Sequence, residues 1–74
     1  MSSIPLISGR QAIAALSKVG YKIDRQKGSH IILRQISHPH RRIVIPDHKE
    51  LAKGTLRKII RQSGLTVEEF KRLL

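Results

Sequence analysis

The spacing of apolar residues changes period along this chain, and each change marks the border of an element. Ser8 is a helix-capping residue type, and after it Ala12, Leu16 and Val19 recur at helical spacing with Ile13 beside them. That pattern predicts a helix over 9–19, closed by Gly20. From Tyr21 the period drops to two: Tyr21, Ile23 and Arg25 alternate with Lys22, Asp24 and Gln26, as in a strand with one apolar end. Lys27-Gly28-Ser29 reads as a tight turn. His30 to Ile36 contains four aliphatic residues, three of them branched at Cβ, and predicts a second strand that closes a hairpin with the first. Ser37-His38-Pro39-His40 is a second turn, and 41–45 is a short third strand stopped by Pro46.

The remainder returns to the helical period. Asp47 to Lys53 is polar and loop-like, and Gly54-Thr55 opens a helix. Leu56, Ile59 and Ile60 lie on one face of it, with Arg57, Lys58 and Arg61 on the other, and Ser63-Gly64 ends it. Thr66-Val67-Glu68-Glu69 is a capping box that starts a short final helix with Val67, Phe70, Leu73 and Leu74 as its apolar side. Three antiparallel strands must bury one face, so the helices cover it. The expectation is a single α+β domain over 1–74, two-layered, in the order helix, three strands, helix, short helix. Double-stranded RNA-binding domains share that order of elements.

Composition narrows the core and the partners. Tyr21 and Phe70 are the aromatic residues and both read as core, so the interior is aliphatic and no aromatic pair is placed to stack bases. The chain has no cysteine, which excludes disulfides and thiolate metal sites. Its 15 Lys and Arg against 5 Asp and Glu give a formal charge of +10 over 74 residues. Such a surface draws in polyanions: nucleic acid, an anionic membrane surface or an acidic protein. The apolar start at 4–7 is too short for a targeting core, and no apolar run approaches the ~20 residues of a membrane span, so the chain is expected to be cytoplasmic with no membrane partner.

Candidate chemistry gathers at Lys27-Gly28-Ser29-His30. A histidine at the first residue of a strand stands on a rigid element and exchanges protons near neutral pH. Lys27 and Arg25 precede it, and Arg34 shares its strand face at i+4. Cations that bind phosphate beside a proton-transfer group are the minimal equipment for metal-free RNA cleavage. A surface histidine at a strand start is the plainer reading of the same residues. His38-Pro39-His40 with His48 lacks the spacing of a metal site and reads as an exposed loop. The start of the helix near Gly54, surrounded by Lys49, Lys53, Arg57 and Lys58, fits contact with phosphates.

The stretches SGRQAIAALSKVGYKIDRQKGSHIILR (8–34) and IPDHKELAKGTLRKIIRQSGLTVEEFKRLL (45–74) resemble the HicA (YcfA-like) toxins of toxin–antitoxin systems. The G-S-H turn before an aliphatic strand and the later K-G-T-L-R entering a helix carry the likeness. The resemblance implies a fold similar to a double-stranded RNA-binding domain. It also implies metal-independent cleavage of mRNA without a cofactor, and inhibition by a HicB-type antitoxin. The family's G-S-H motif falls on Gly28, Ser29 and His30, with His30 as the catalytic histidine. One histidine leaves a second proton-transfer role open to His48, Asp24, a lysine or water. The competing reading is a non-catalytic RNA- or DNA-binding module, in which the basic residues matter and His30 does not. An adaptor for an acidic protein is a third.

Overall fold

The computed structural model describes residues 3–74. Helix α1 spans Gly9–Ser17, and Ser8 caps it reciprocally with Gln11. The Ser8 hydroxyl oxygen accepts from the Gln11 backbone N–H at 3.0 Å, and the Gln11 side chain accepts from the Ser8 N–H at 2.9 Å. Strands β1 (Tyr21–Lys27), β2 (His30–Gln35) and β3 (Arg42–Pro46) follow, then α2 (Lys53–Ser63) and α3 (Val67–Lys71). The sheet is antiparallel in the order β1-β2-β3. The molecule is a slab of 32 × 27 × 17 Å, whose thin dimension holds one layer of helix on one layer of sheet. The chain is thus an α+β fold with its helices on one face of the sheet, as its sequence predicts.

The core lies between the layers. Ile31, Leu33, Ile43 and Ile45 of the sheet meet Ala12, Ala15 and Leu16 of α1, Leu56, Ile59 and Ile60 of α2, and Phe70 of α3. Leu51, in the loop before α2, is also buried and fixes that loop through its N–H to the carbonyl of Ile7, 2.8 Å. Among the described residues, no polar or charged residue belongs to this core. The Tyr21 hydroxyl is buried there without a protein hydrogen-bond partner among the described residues.

Three local features depart from the expected pattern. Val19 does not join the buried stripe of the first helix. The helix ends at Ser17, the Lys18 N–H donates to the carbonyl of Ala15 and the Val19 N–H to that of Leu16, and Val19 passes into the turn, 39% exposed. The alternation of β1 is broken between Ile23 and Arg25, where the register shifts. The bulge moves Arg25 to the face opposite Ile23. Pro46 is the last residue of β3 and lies opposite His30 instead of stopping the strand before it. A proline is tolerated at the end of a strand that borders the sheet, because the ladder there asks for few donors.

Candidate active site

Strand alternation assigns the solvent face of the sheet. His30, Ile32 and Arg34 of β2 alternate with buried Ile31 and Leu33, while Arg42, Val44 and Pro46 alternate with buried Ile43 and Ile45. Direct partners across an antiparallel pair share a face, so the outer surface is a set of rows. One row is Lys27, His30 and Pro46, the next Arg25, Ile32 and Val44, and the last Lys22, Arg34 and Arg42.

His30 is positioned from both sides. The hairpin turn before it has Gly28 at φ 61°, a conformation that disfavours any side chain, and the Gln26 amide donates to the Gly28 carbonyl at 3.0 Å. The Ser29 carbonyl accepts from the backbone N–H of Asp47 at 2.7 Å. The Asp47 carboxylate in turn takes the Arg10 guanidinium as a two-point pair, 3.1 Å at each contact. The Gly9 N–H donates to the His48 carbonyl at 2.9 Å, and Gly9 lies so close to Pro46 that a Cβ would overlap the Pro46 carbonyl oxygen. The start of α1 and the ends of β2 and β3 are therefore locked together under His30.

Helix α2 runs beside β3 and raises one flank above the outer face. Thr55, Lys58 and Gln62, one stripe at i, i+3 and i+7, face Arg42, Val44 and Pro46 across a groove of about 330 Å³ that His30 also lines. A second hollow of about 230 Å³ lies on the same sheet, lined by Lys22, Arg34, Gln35, Ile36 and His40. No carboxylate lines either one. Arg10–Asp47 is the one ion pair among the described residues, so the cations of the two hollows are not held in ion pairs.

Of the sequence candidates, His30 and Lys58 share the groove, and Lys27 stands opposite His30 in the strand register. Gly28 and Ser29 shape the turn, and Arg34 lies in the second hollow. Lys49 in the loop, Lys53 at the first position of α2, and Arg57 are exposed and lie outside the groove. His48 and Asp24 do not line it either. His38 and His40 meet each other edge to face, ring centroids 6.1 Å apart. Among the described residues no three of His, Asp and Glu converge, and no helix is long and apolar enough to cross a membrane. Sequence reasoning missed Arg42, Thr55 and Gln62. The helical stripe through Lys58 holds the signal for two of them, but Arg42, which the register pairs with Arg34, reaches the groove only through the packing of α2 beside β3.

The model of the HicA toxin family of bacterial toxin–antitoxin systems matches residues 9–65. The chain belongs to the HicA toxin family. No curated protein matches it. Membership makes the chain the toxin side of a toxin–antitoxin pair and gives it an antitoxin as partner. The matched span of this HicA toxin runs from α1 to the residue after the Gly64 cap and includes both walls of the groove. Helix α3 lies beyond it, yet contributes the fully buried Phe70 to the core.

Proposed function

We propose that this HicA toxin is a metal-independent endoribonuclease that cleaves mRNA in the cytoplasm, with His30 as its catalytic residue and residues 1–74 acting as one domain. The observation that carries this reading is the groove that His30 shares with Arg42 and Lys58, free of any carboxylate. Cleavage of RNA without a cofactor needs a proton donor for the leaving oxygen and cations for the phosphorane.

In this reading the scissile phosphate enters the groove between β3 and α2. The ribose 2′-oxygen attacks phosphorus and loses its proton to water. The bond from phosphorus to the 5′-oxygen breaks, and the His30 imidazolium gives that oxygen its proton. The products are a 2′,3′-cyclic phosphate and a 5′-hydroxyl. Arg42 and Lys58 hold the charge that builds on the non-bridging oxygens, and Lys27 adds positive potential from the facing strand. Gly28 and Ser29 keep the turn tight against the substrate. Lys49, Lys53 and Arg57 grip flanking phosphates at the start of α2, whose backbone N–H groups are not capped by a side chain. A HicB-type antitoxin inhibits by covering His30, and an acidic surface on it would be steered in quickly by a domain of charge +10.

The test is incubation of long single-stranded RNA with the protein in EDTA, beside His30→Ala. Cleavage by the wild type and none by a variant that still binds RNA is the expected result. Binding by both without cleavage by either replaces this reading with a non-catalytic RNA-binding module.

A further inference from the structure

The row Lys22, Arg34 and Arg42 is unusual in a sheet. Lys22 is the direct partner of Arg34, and Arg34 of Arg42, so three cations stand side by side on one face. Like charges directly opposite each other destabilise a strand pair. Among the described residues no carboxylate forms an ion pair with any of the three, and Asp47 is engaged by Arg10. Such an arrangement is relieved when an anion lies across it.

The row is also ordered relative to His30. Arg34 is four residues along the same face of β2, a span of about 14 Å by strand geometry, which an extended nucleic-acid strand crosses in about two nucleotides. Between the two lies the row of Arg25, Ile32 and Val44, in which Ile32 and the 49% exposed Val44 form an apolar floor with cations around it. The two hollows flank this floor, one holding Arg42 with His30 and the other holding Lys22 with Arg34.

We propose, on the ribonuclease reading above, that a single RNA strand crosses the outer face of the sheet. One phosphate sits in the His30 groove with Arg42 and a second, about two nucleotides away, on Lys22 and Arg34. The strand is single because attack by the 2′-oxygen must be in line with the leaving 5′-oxygen. An A-form duplex holds the 2′-oxygen away from that line. Among the described residues neither hollow is lined by Phe, Tyr or Trp, so the grip is mainly on phosphate and ribose and is tolerant of sequence.

The experiment uses Lys22→Gln/Arg34→Gln in a His30→Ala background, so that binding is read without cleavage. Lys71→Gln/Arg72→Gln at the C-terminal end of α3 removes equal charge away from the sheet. Affinity is measured against salt for a single-stranded RNA of about eight nucleotides, and separately for a dinucleotide that fills only the groove. The sheet variant is expected to weaken the longer RNA about tenfold at low salt and to flatten its salt slope by roughly one to two ionic contacts. It should leave the dinucleotide unchanged and raise the melting temperature at low salt, because the like-charge row is relieved. The α3 variant should leave the slope of the longer RNA as it was. An unchanged slope in the sheet variant overturns the proposal, as does an equal loss in the α3 variant. Tighter binding of a duplex of the same sequence also overturns it. So does a loss of affinity confined to an acidic polypeptide such as polyglutamate, which makes the row a protein-docking surface. If the wild type does not cleave RNA but the sheet variant flattens the slope, the path stands and the ribonuclease reading falls. If His30→Ala abolishes cleavage but the sheet variant binds as its parent does, the reverse holds.

Discussion

The backbone N–H of Asp47 donates a 2.7 Å hydrogen bond to the carbonyl of Ser29, so the residue after Pro46 is tied to the residue before His30. Because Pro46 lies opposite His30 in the register, this bond closes the sheet end at which the imidazole stands. The Asp47 side chain extends the tie to α1 through Arg10. An Asp47→Ala variant loses only the side-chain arm. The ion pair is about half exposed, with side-chain accessibilities of 56% and 32%, so the loss of stability should be about 1 kcal/mol or less. Cleavage should fall about tenfold in kcat, since a catalytic group displaced by a fraction of an ångström loses rate before it loses affinity. Urea unfolding and single-turnover cleavage check the two parts; a stability loss with no change in kcat means that Asp47 does not position His30.

Gly9 serves the same end from the other side. Its buried place against Pro46 leaves no room for a methyl group, so Gly9→Ala must push α1 away from β3. Overpacking of this kind costs about 1–3 kcal/mol, more than the helix propensity that alanine adds. For a domain of this size that lowers the melting temperature by roughly 4–24 °C. A thermal melt within a degree of the wild type would show that the contact yields freely.

The interior supplies a prediction with a sign in pH. Burial raises the Tyr21 hydroxyl above its ordinary value of 10.0, and the nearby Arg41 charge opposes this only in part. A group whose pKa is raised on folding contributes stability below its unfolded value. That contribution is lost as the pH climbs above 10.0 toward the folded value. The same hydroxyl is buried without a protein partner among the described residues. Tyr21→Phe should therefore be neutral or stabilising by up to about 1 kcal/mol at neutral pH, and should unfold less steeply in alkali. Denaturant midpoints at neutral pH and above pH ~10 decide it. A clear loss at neutral pH would mean that the hydroxyl is satisfied.

How much of this was legible beforehand depends on the range of the interactions. Ser8 and Thr66 act within one helical turn, and both form the expected caps, the Thr66–Glu69 box closing at 2.8 and 3.1 Å. Leu56, Ile59 and Ile60 follow a period that any buried helix face must obey, and all three are buried. The bulge at Asp24 is invisible in the alternation of β1, because it is set by pairing with β2. Val19 fits the helical stripe, but the chain leaves the helix before reaching it. For the site, His30 stands out through its Gly-Ser turn. Arg42 and Gln62 do not, since a groove between a strand and a later helix exists only once register and packing are fixed.

The distinction between groove and rim gives the sharpest test of the chemistry. Lys58 and Lys49 are both exposed lysines near α2, and composition treats them alike. Lys58 shares the groove with His30, while Lys49 lies outside it. A cation that meets charge developing in the transition state lowers kcat when removed, typically by about 10²–10³-fold for a well-placed donor. A cation that meets an ordinary phosphate binds ground state and transition state equally, so its loss raises KM and leaves kcat alone. Lys58→Ala should thus depress kcat by about 10–10³-fold, and Lys49→Ala should raise KM with a salt slope smaller by about one ionic contact. Single-turnover rates at saturating enzyme separate the two. If both lysines move KM alone, the charge that stabilises the phosphorane does not come from α2, and Arg42 is left to carry it.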